Sequence, residues 1–174
     1  YWQIDNEWNS DESMPKLGGG TFDIKEKASV YSDMMYYASQ GIHEANPNAK
    51  AVMGGLNMND ADVFLDEIYG CISSSSWSKN PDDYFQVAAW HHDIQTFDKN
   101  DFVEKNNKAY ASIKEHEKKD KKVFITEVSF SEEYMPLSEQ ANCLKVLYEA
   151  ANELPYVESM HYSNLYDSYD ENNG

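Results

Sequence analysis

Five apolar runs, beginning near residues 1, 50, 84, 123 and 157, alternate with four stretches of helical periodicity, and this alternation restricts the fold more than any other feature. Tyr1 to Asn6, Lys50 to Leu56, Tyr84 to Trp90, Val123 to Thr126 and Val157 to Tyr162 read as strands. Ile24 to Asn46, Ala61 to Cys71, Asp101 to Lys119 and Leu137 to Glu153 read as helices, the first closed by Asn46-Pro47. Their inward stripes are expected to include Ala28, Tyr31 and Met35, then Val63, Phe64 and Ile68, then Phe102, Tyr110 and Ile113, and finally Ala141, Leu144, Leu147, Tyr148 and Ala151. Strands joined by helical crossovers pair in parallel, in a doubly wound sheet or an eight-stranded barrel. A nucleotide-binding doubly wound sheet carries GxGxxG or GxxxxGK after its first strand, and this chain has neither; Gly18-Gly19-Gly20 stands well past the strand. An α/β barrel is therefore favoured, of which five strands and four helices make about half. Such an arc has two unpaired edges, so the remainder of the barrel is expected from the same or another chain.

The charge narrows the partners. Thirty-one acidic residues against 14 basic ones leave a net charge of -17, which repels phosphate backbones and anionic lipid, so neither nucleic acid nor a membrane is an expected partner. No apolar run is long enough to span a bilayer. Cys71 and Cys143 fall in helical stretches without metal-ligand spacing and read as buried thiols. No cofactor motif is present, and none is expected.

In barrels of this kind the chemistry gathers at the C-terminal ends of the strands, so residues there form one ring although they are far apart in sequence. In order, those ends carry Asn6 and Glu7; Gly54, Gly55, Leu56 and Asn57; Trp90, His91, His92 and Asp93; Glu127; and Tyr162, Ser163 and Asn164. Two glutamates facing each other across a barrel mouth suit glycoside hydrolysis. One carboxylic acid protonates the leaving oxygen while one carboxylate meets the oxocarbenium-like carbon, and a gap of ~5–5.5 Å gives retention through a covalent intermediate. Trp2, Trp8, Trp90 and Tyr162 are candidate stacking platforms for a sugar. His91, His92 and Asp93 also admit a metal-dependent hydrolase, but adjacent histidines on a strand point to opposite faces, so no metal is expected. His161 and Tyr162 alternate in the same way, so one of the two faces the barrel axis. His43 and His116 lie on polar helix faces and are expected in solvent, as are the Ser73 to Ser76 and Lys118 to Lys122 runs.

The same stretches resemble the clan A glycoside hydrolases in order along nearly the whole chain. WQIDNEWN looks like their strand-four motif, in which Asn-Glu supplies a substrate-binding amide and the acid/base, and VFITEVSFS looks like their strand-seven motif, which carries the nucleophile. VMGGLN, AAWHHDI and HYSNLYD are similar to the segments of strands five, six and eight, the first most of all to glycoside hydrolase family 39, the xylosidase and iduronidase family. The chain departs from that family at Leu56, where Pro follows the glycines, and at Val128, where Trp is common. The resemblance implies that residues 1–174 are the C-terminal portion, about strands 4 to 8, of a (β/α)8 TIM barrel, with the N-terminal strands and last helix absent. It implies a retaining, two-glutamate glycosidase, xylosidase-like in specificity, acting on an oligosaccharide or glycoside outside the cell. Glu7 would be acid/base and Glu127 nucleophile, Asn6 would hold the sugar 2-hydroxyl, and Trp8, Trp90, His91, His92, Tyr162 and Asn164 would line the substrate site. The alternative is a non-catalytic half-barrel that binds carbohydrate or serves structure.

Overall fold

The structure is a computed structural model that describes residues 1–10, 22–94, 98–130 and 135–163. Five strands, β1 (Trp2–Asn6), β2 (Ala51–Asn57), β3 (Val87–Ile94), β4 (Lys122–Phe130) and β5 (Val157–Tyr162), form one parallel sheet in chain order. Between them run α1 (Ile24–Ala45), α2 (Ala61–Ser74), α3 (Lys99–His116) and α4 (Leu137–Asn152), each packed against the next. This is the expected α/β alternation, with every strand beside its neighbour in sequence. No described helix is long and apolar enough to cross a membrane.

Local signals set the helix starts. Asp23 accepts hydrogen bonds from the N–H groups of Lys25 and Glu26 while Glu26 reaches back to the Asp23 N–H, a reciprocal cap that opens α1. Asp98 caps α3 through the N–H groups of Asn100 and Asp101, which places the helix start two residues ahead of the expected Asp101.

The sheet has two unlike faces. Ile4, Met53, Leu56, Ala88, Trp90, Val123, Ile125 and Val128 join the helices in one large core, whereas Val52, Val87 and Ala89 with Phe124 form a small cluster on the other face, the side that becomes a barrel interior. Tyr31 of α1 ties the first two strands to this core. Its fully buried hydroxyl donates to the Ile4 carbonyl at 2.9 Å and accepts from the Gly54 N–H at 2.6 Å.

β3 starts at Val87, because Tyr84 and Phe85, apolar enough to read as its beginning, follow a 3-10 turn at Pro81–Asp83 and are wholly buried there. On α4 the buried stripe is Gln140, Cys143, Leu147, Ala150 and Ala151, whereas Ala141 and Tyr148 are exposed. Two stripes one residue apart are both plausible on a helix, and docking chooses between them. On α2, Val63 likewise lies exposed while Phe64, Leu65 and Ile68 face the core. The serine run is partly helical too, since Ser73 and Ser74 close α2.

Replacing Tyr31 by Phe should leave the Gly54 N–H and the Ile4 carbonyl without their buried partner. The expected loss is about 1–3 kcal/mol of unfolding free energy in urea with an unchanged m-value, and parental stability would contradict it.

Candidate active site

The turn after β1 and the C-terminal halves of β3 and β4, which run on past the expected ends to Ile94 and Phe130, bring three ionisable side chains together on the C-terminal side of the sheet. His91 Nδ1 lies 2.9 Å from Glu7 Oε1 and 4.0 Å from Glu127 Oε2. The imidazole is buried at 5% exposure, while the two carboxyl groups are reachable from solvent at 29% and 41%. Nδ1 is within hydrogen-bond distance of Glu7, donating to the carboxylate when it carries the ring proton and otherwise accepting only from a protonated carboxyl group.

Register creates this meeting. Between Val52 and Leu56, β2 carries one residue more than β3 does between Val87 and Trp90, and β4 carries one more between Ile125 and Glu127 than β3 does between Trp90 and His91. Such bulges bend a strand and redirect its side chains. In β4 the extra residue leaves Ile125 and Val128 both on the helix side, with Thr126 and Glu127 between them. Asn57, His91 and Glu127 consequently stand level across three strands.

The glycines of β2 make room. A Cβ on Gly55 would fall 1.9 Å from His91 Nε2 and 2.6 Å from Thr126 Oγ1, and one on Gly54 would fall 2.7 Å from the carbonyl oxygens of Ile4 and Asp5. The imidazole thus rests on bare backbone, and β1 crosses close beside it. Thr126 Oγ1 is itself buried there without a hydrogen-bond partner.

Glu7 sits in a constrained turn. Asp5 and Glu7 have φ of 63° and 47°, a left-handed conformation that costs a non-glycine residue energy and is held only by its surroundings. Those surroundings are visible. The Glu7 N–H donates to the Gly55 carbonyl at 2.9 Å, and Asn9 clasps Asn57 twice, donating through Nδ2 to its carbonyl at 2.7 Å and accepting its N–H at 2.8 Å. Asn9 and Asn57 were not among the expected site residues; their signal was an Asn on the turn after β1 and another at the end of β2.

Several expected site residues lie elsewhere. Trp90 is fully buried on the helix side and donates its Nε1–H to Asn106 Oδ1 at 2.8 Å, so its ring is core and not a sugar platform. His92 points the same way, with Nε2 3.0 Å from Asn106 Nδ2 and its ring 4.6 Å from that of Phe102. His91 and His92 therefore serve opposite faces and cannot share an ion. Among the described residues, no group of three or more His, Cys, Asp or Glu side chains is arranged to hold a metal. Tyr162 pairs with Val128 of the helix-side core, and its ring lies 5.9 Å from that of Phe130. Trp8 is half-buried, stacked at 5.1 Å on Tyr31. Asn6 is exposed and pairs with Gly55 beside the cluster. Asn164 lies outside the described residues. Away from the rim, His116 is exposed, as expected, with its ring stacked at 4.7 Å on Tyr69.

No protein-family model matches the chain, and no curated protein matches it. Among solved structures it is similar to a curdlan-specific exo-β-1,3-glucanase of glycoside hydrolase family 128 (subgroup III) from Blastomyces gilchristii, in complex with glucose. The two share 16% identity with a TM-score of 0.57, over 92% of this chain and 60% of that one. At that identity the likeness concerns the fold: five parallel strands alternating with helices, matching part of a TIM-barrel glycosidase. The resemblance to family 39 finds no support in these comparisons.

Two predictions follow from the geometry of β2 and β3. Gly55→Ala should push His91 off Glu7 and cost about 1–3 kcal/mol of stability, as overpacking does; a variant structure that retains the 2.9 Å contact would contradict this. Burial lowers the pKa of His92 to about 4, against a weaker opposing effect of its hydrogen bond to Asn106. From pH ~6.5 down to ~4 the unfolded chain takes up a proton that the folded one refuses, so the stability gained from neutral His92 is lost as pH falls through that window, by up to about 3 kcal/mol. His92→Gln should flatten this slope in denaturant titrations, and identical slopes for parent and variant would refute the assignment.

Proposed function

We propose that this chain carries the reacting carboxyl pair of a retaining glycoside hydrolase, with Glu7 as acid/base and Glu127 as nucleophile. The observation that supports it is the convergence of both carboxyl groups on His91 at the C-terminal rim of the strands. Their nearer oxygens lie no farther apart than the two histidine distances laid end to end. That limit admits the ~5–5.5 Å gap of retaining enzymes and only touches the lower end of the ~6.5–9.5 Å range of inverting ones.

The steps balance as a double displacement. Glu127 attacks the anomeric carbon as the bond to the leaving oxygen breaks, and Glu7 gives its proton to that oxygen. The covalent ester on Glu127 then opens when water, losing a proton to Glu7, attacks the same carbon and frees the carboxylate. His91 holds Glu7 in place through both steps, and the exposed Asn6 is the amide offered to the sugar 2-hydroxyl. The open rim leaves both carboxyl groups accessible to a neutral substrate, which the acidic chain does not repel.

A β-linked glucan is the first substrate class to try, because the similar solved structure is an exo-β-1,3-glucanase bound to glucose. Xylosides come second, since their claim came through the family 39 resemblance.

In the intact protein, Glu127→Gln should abolish turnover of aryl glycosides, and Glu7→Gln should slow substrates with poor leaving groups by ~10²–10⁴-fold while sparing the first step for activated ones. Trapping with a slow fluoroglycoside should add one sugar mass to Glu127. Undiminished turnover by the Glu127 variant would sink this function, and sugar binding without product release from any glycoside would favour a non-catalytic carbohydrate-binding role.

A further inference from the structure

We propose that the outer face of the arc carries a second glycan-binding site, built on Trp77 and Tyr37 beside the groove between α1 and α2. It rests on the glycosidase reading for the nature of its ligand, a neutral polysaccharide chain. Trp77 follows α2 and precedes β3, which puts it toward the N-terminal end of the strands, whereas Glu7 and Glu127 sit at the C-terminal rim.

Trp77 and Tyr37 are 50% and 56% exposed, and they touch each other, with ring centroids 5.4 Å apart. Single exposed aromatics need no explanation, but two in contact form a patch. The patch is also held rigid. Trp77 stacks on Tyr36 at 6.0 Å, its Nε1–H donates to Asp33 Oδ1 at 3.2 Å, and its backbone N–H donates to Ser75 Oγ at 3.0 Å. An aromatic surface fixed before contact loses little freedom on binding.

Polar groups lie alongside. A groove of about 320 Å³ next to Trp77 is lined by Ser29, Ser32, Asp33 and Ser74 to Ser76, a size at the small end of the ~300–1,000 Å³ usual for ligand sites. Ser32 Oγ is buried beside the groove, and the weakly bonding thiol of Cys71 is its neighbour. No lysine or arginine lines the groove and Asp33 does, so anionic ligands are disfavoured. A sugar ring offers what fits: an apolar C–H face for the aromatics and hydroxyls for serine and aspartate.

The test is affinity electrophoresis of the intact protein in native gels containing laminarin, mixed-linkage β-glucan or xylan. At least one polymer should retard it, and Trp77→Ala and Tyr37→Ala should each weaken the retardation about tenfold while turnover of an aryl glycoside stays at the parental rate. Tyr37 is an exposed helix position that tolerates alanine, so this variant remains informative if Trp77→Ala folds poorly. Glu127→Gln should keep full retardation, which separates this site from the catalytic pair. Absence of retardation by all three polymers overturns the proposal, as does retardation that survives both aromatic substitutions.

Discussion

The imidazole of His91 lies between Glu7 and Glu127 because Gly55 offers no side chain where the ring must rest. That steric vacancy supports everything at the rim. A methyl group at Gly55 would sit inside the ring's own volume, and the ring's Nδ1 is the atom on which both carboxyl groups converge. Gly54 has the same duty toward β1, whose carbonyl groups at Ile4 and Asp5 approach the backbone too closely for any Cβ. The glycine pair is thus a packing requirement set by a histidine on one side and a strand on the other.

Bulges complete the arrangement. A regular parallel sheet would present every second residue to the interior, and Glu127 would follow Ile125 toward the helices. The extra residue in β4 breaks that phase, and the extra residue in β2 brings Asn57 level with His91. At the end of β1 the chain passes through two left-handed residues, Asp5 within the strand and Glu7 just after it, and the clasp between Asn9 and Asn57 holds that turn against its conformational cost. Rigidity of this kind keeps a carboxyl group within reach of its partner.

The outer layer follows another logic. Helices shield the sheet with a continuous apolar core, in which polar groups such as Asn106 are satisfied by Trp90, His92 and the Phe102 carbonyl. A buried amide with all its partners present fixes side chains in place without weakening the core. On the solvent side the same helices carry acidic charge, and Tyr37 of α1 meets Trp77 of the segment after α2.

Alternating apolar runs and helical stripes were enough to read the order of the elements and the parallel sheet, because period is a local property of a chain, whereas the strand ends were not: β4 runs on through Glu127 to Phe130. Hidden from the sequence were the phase of the bulged strands and the face of α4, whereas the inward stripe of α1, with Ala28, Tyr31 and Met35, was legible. Trp90, His91 and His92 are equally plausible as ligand contacts in the sequence, and only pairing with bulged neighbours turned His91 to the glutamates and the other two to Asn106. The inward stripe of α4 and the start of β3 were displaced for a similar reason. Docking against elements distant in sequence decides between solutions that local periodicity leaves equal, and a bulge of one residue exchanges the faces of a strand.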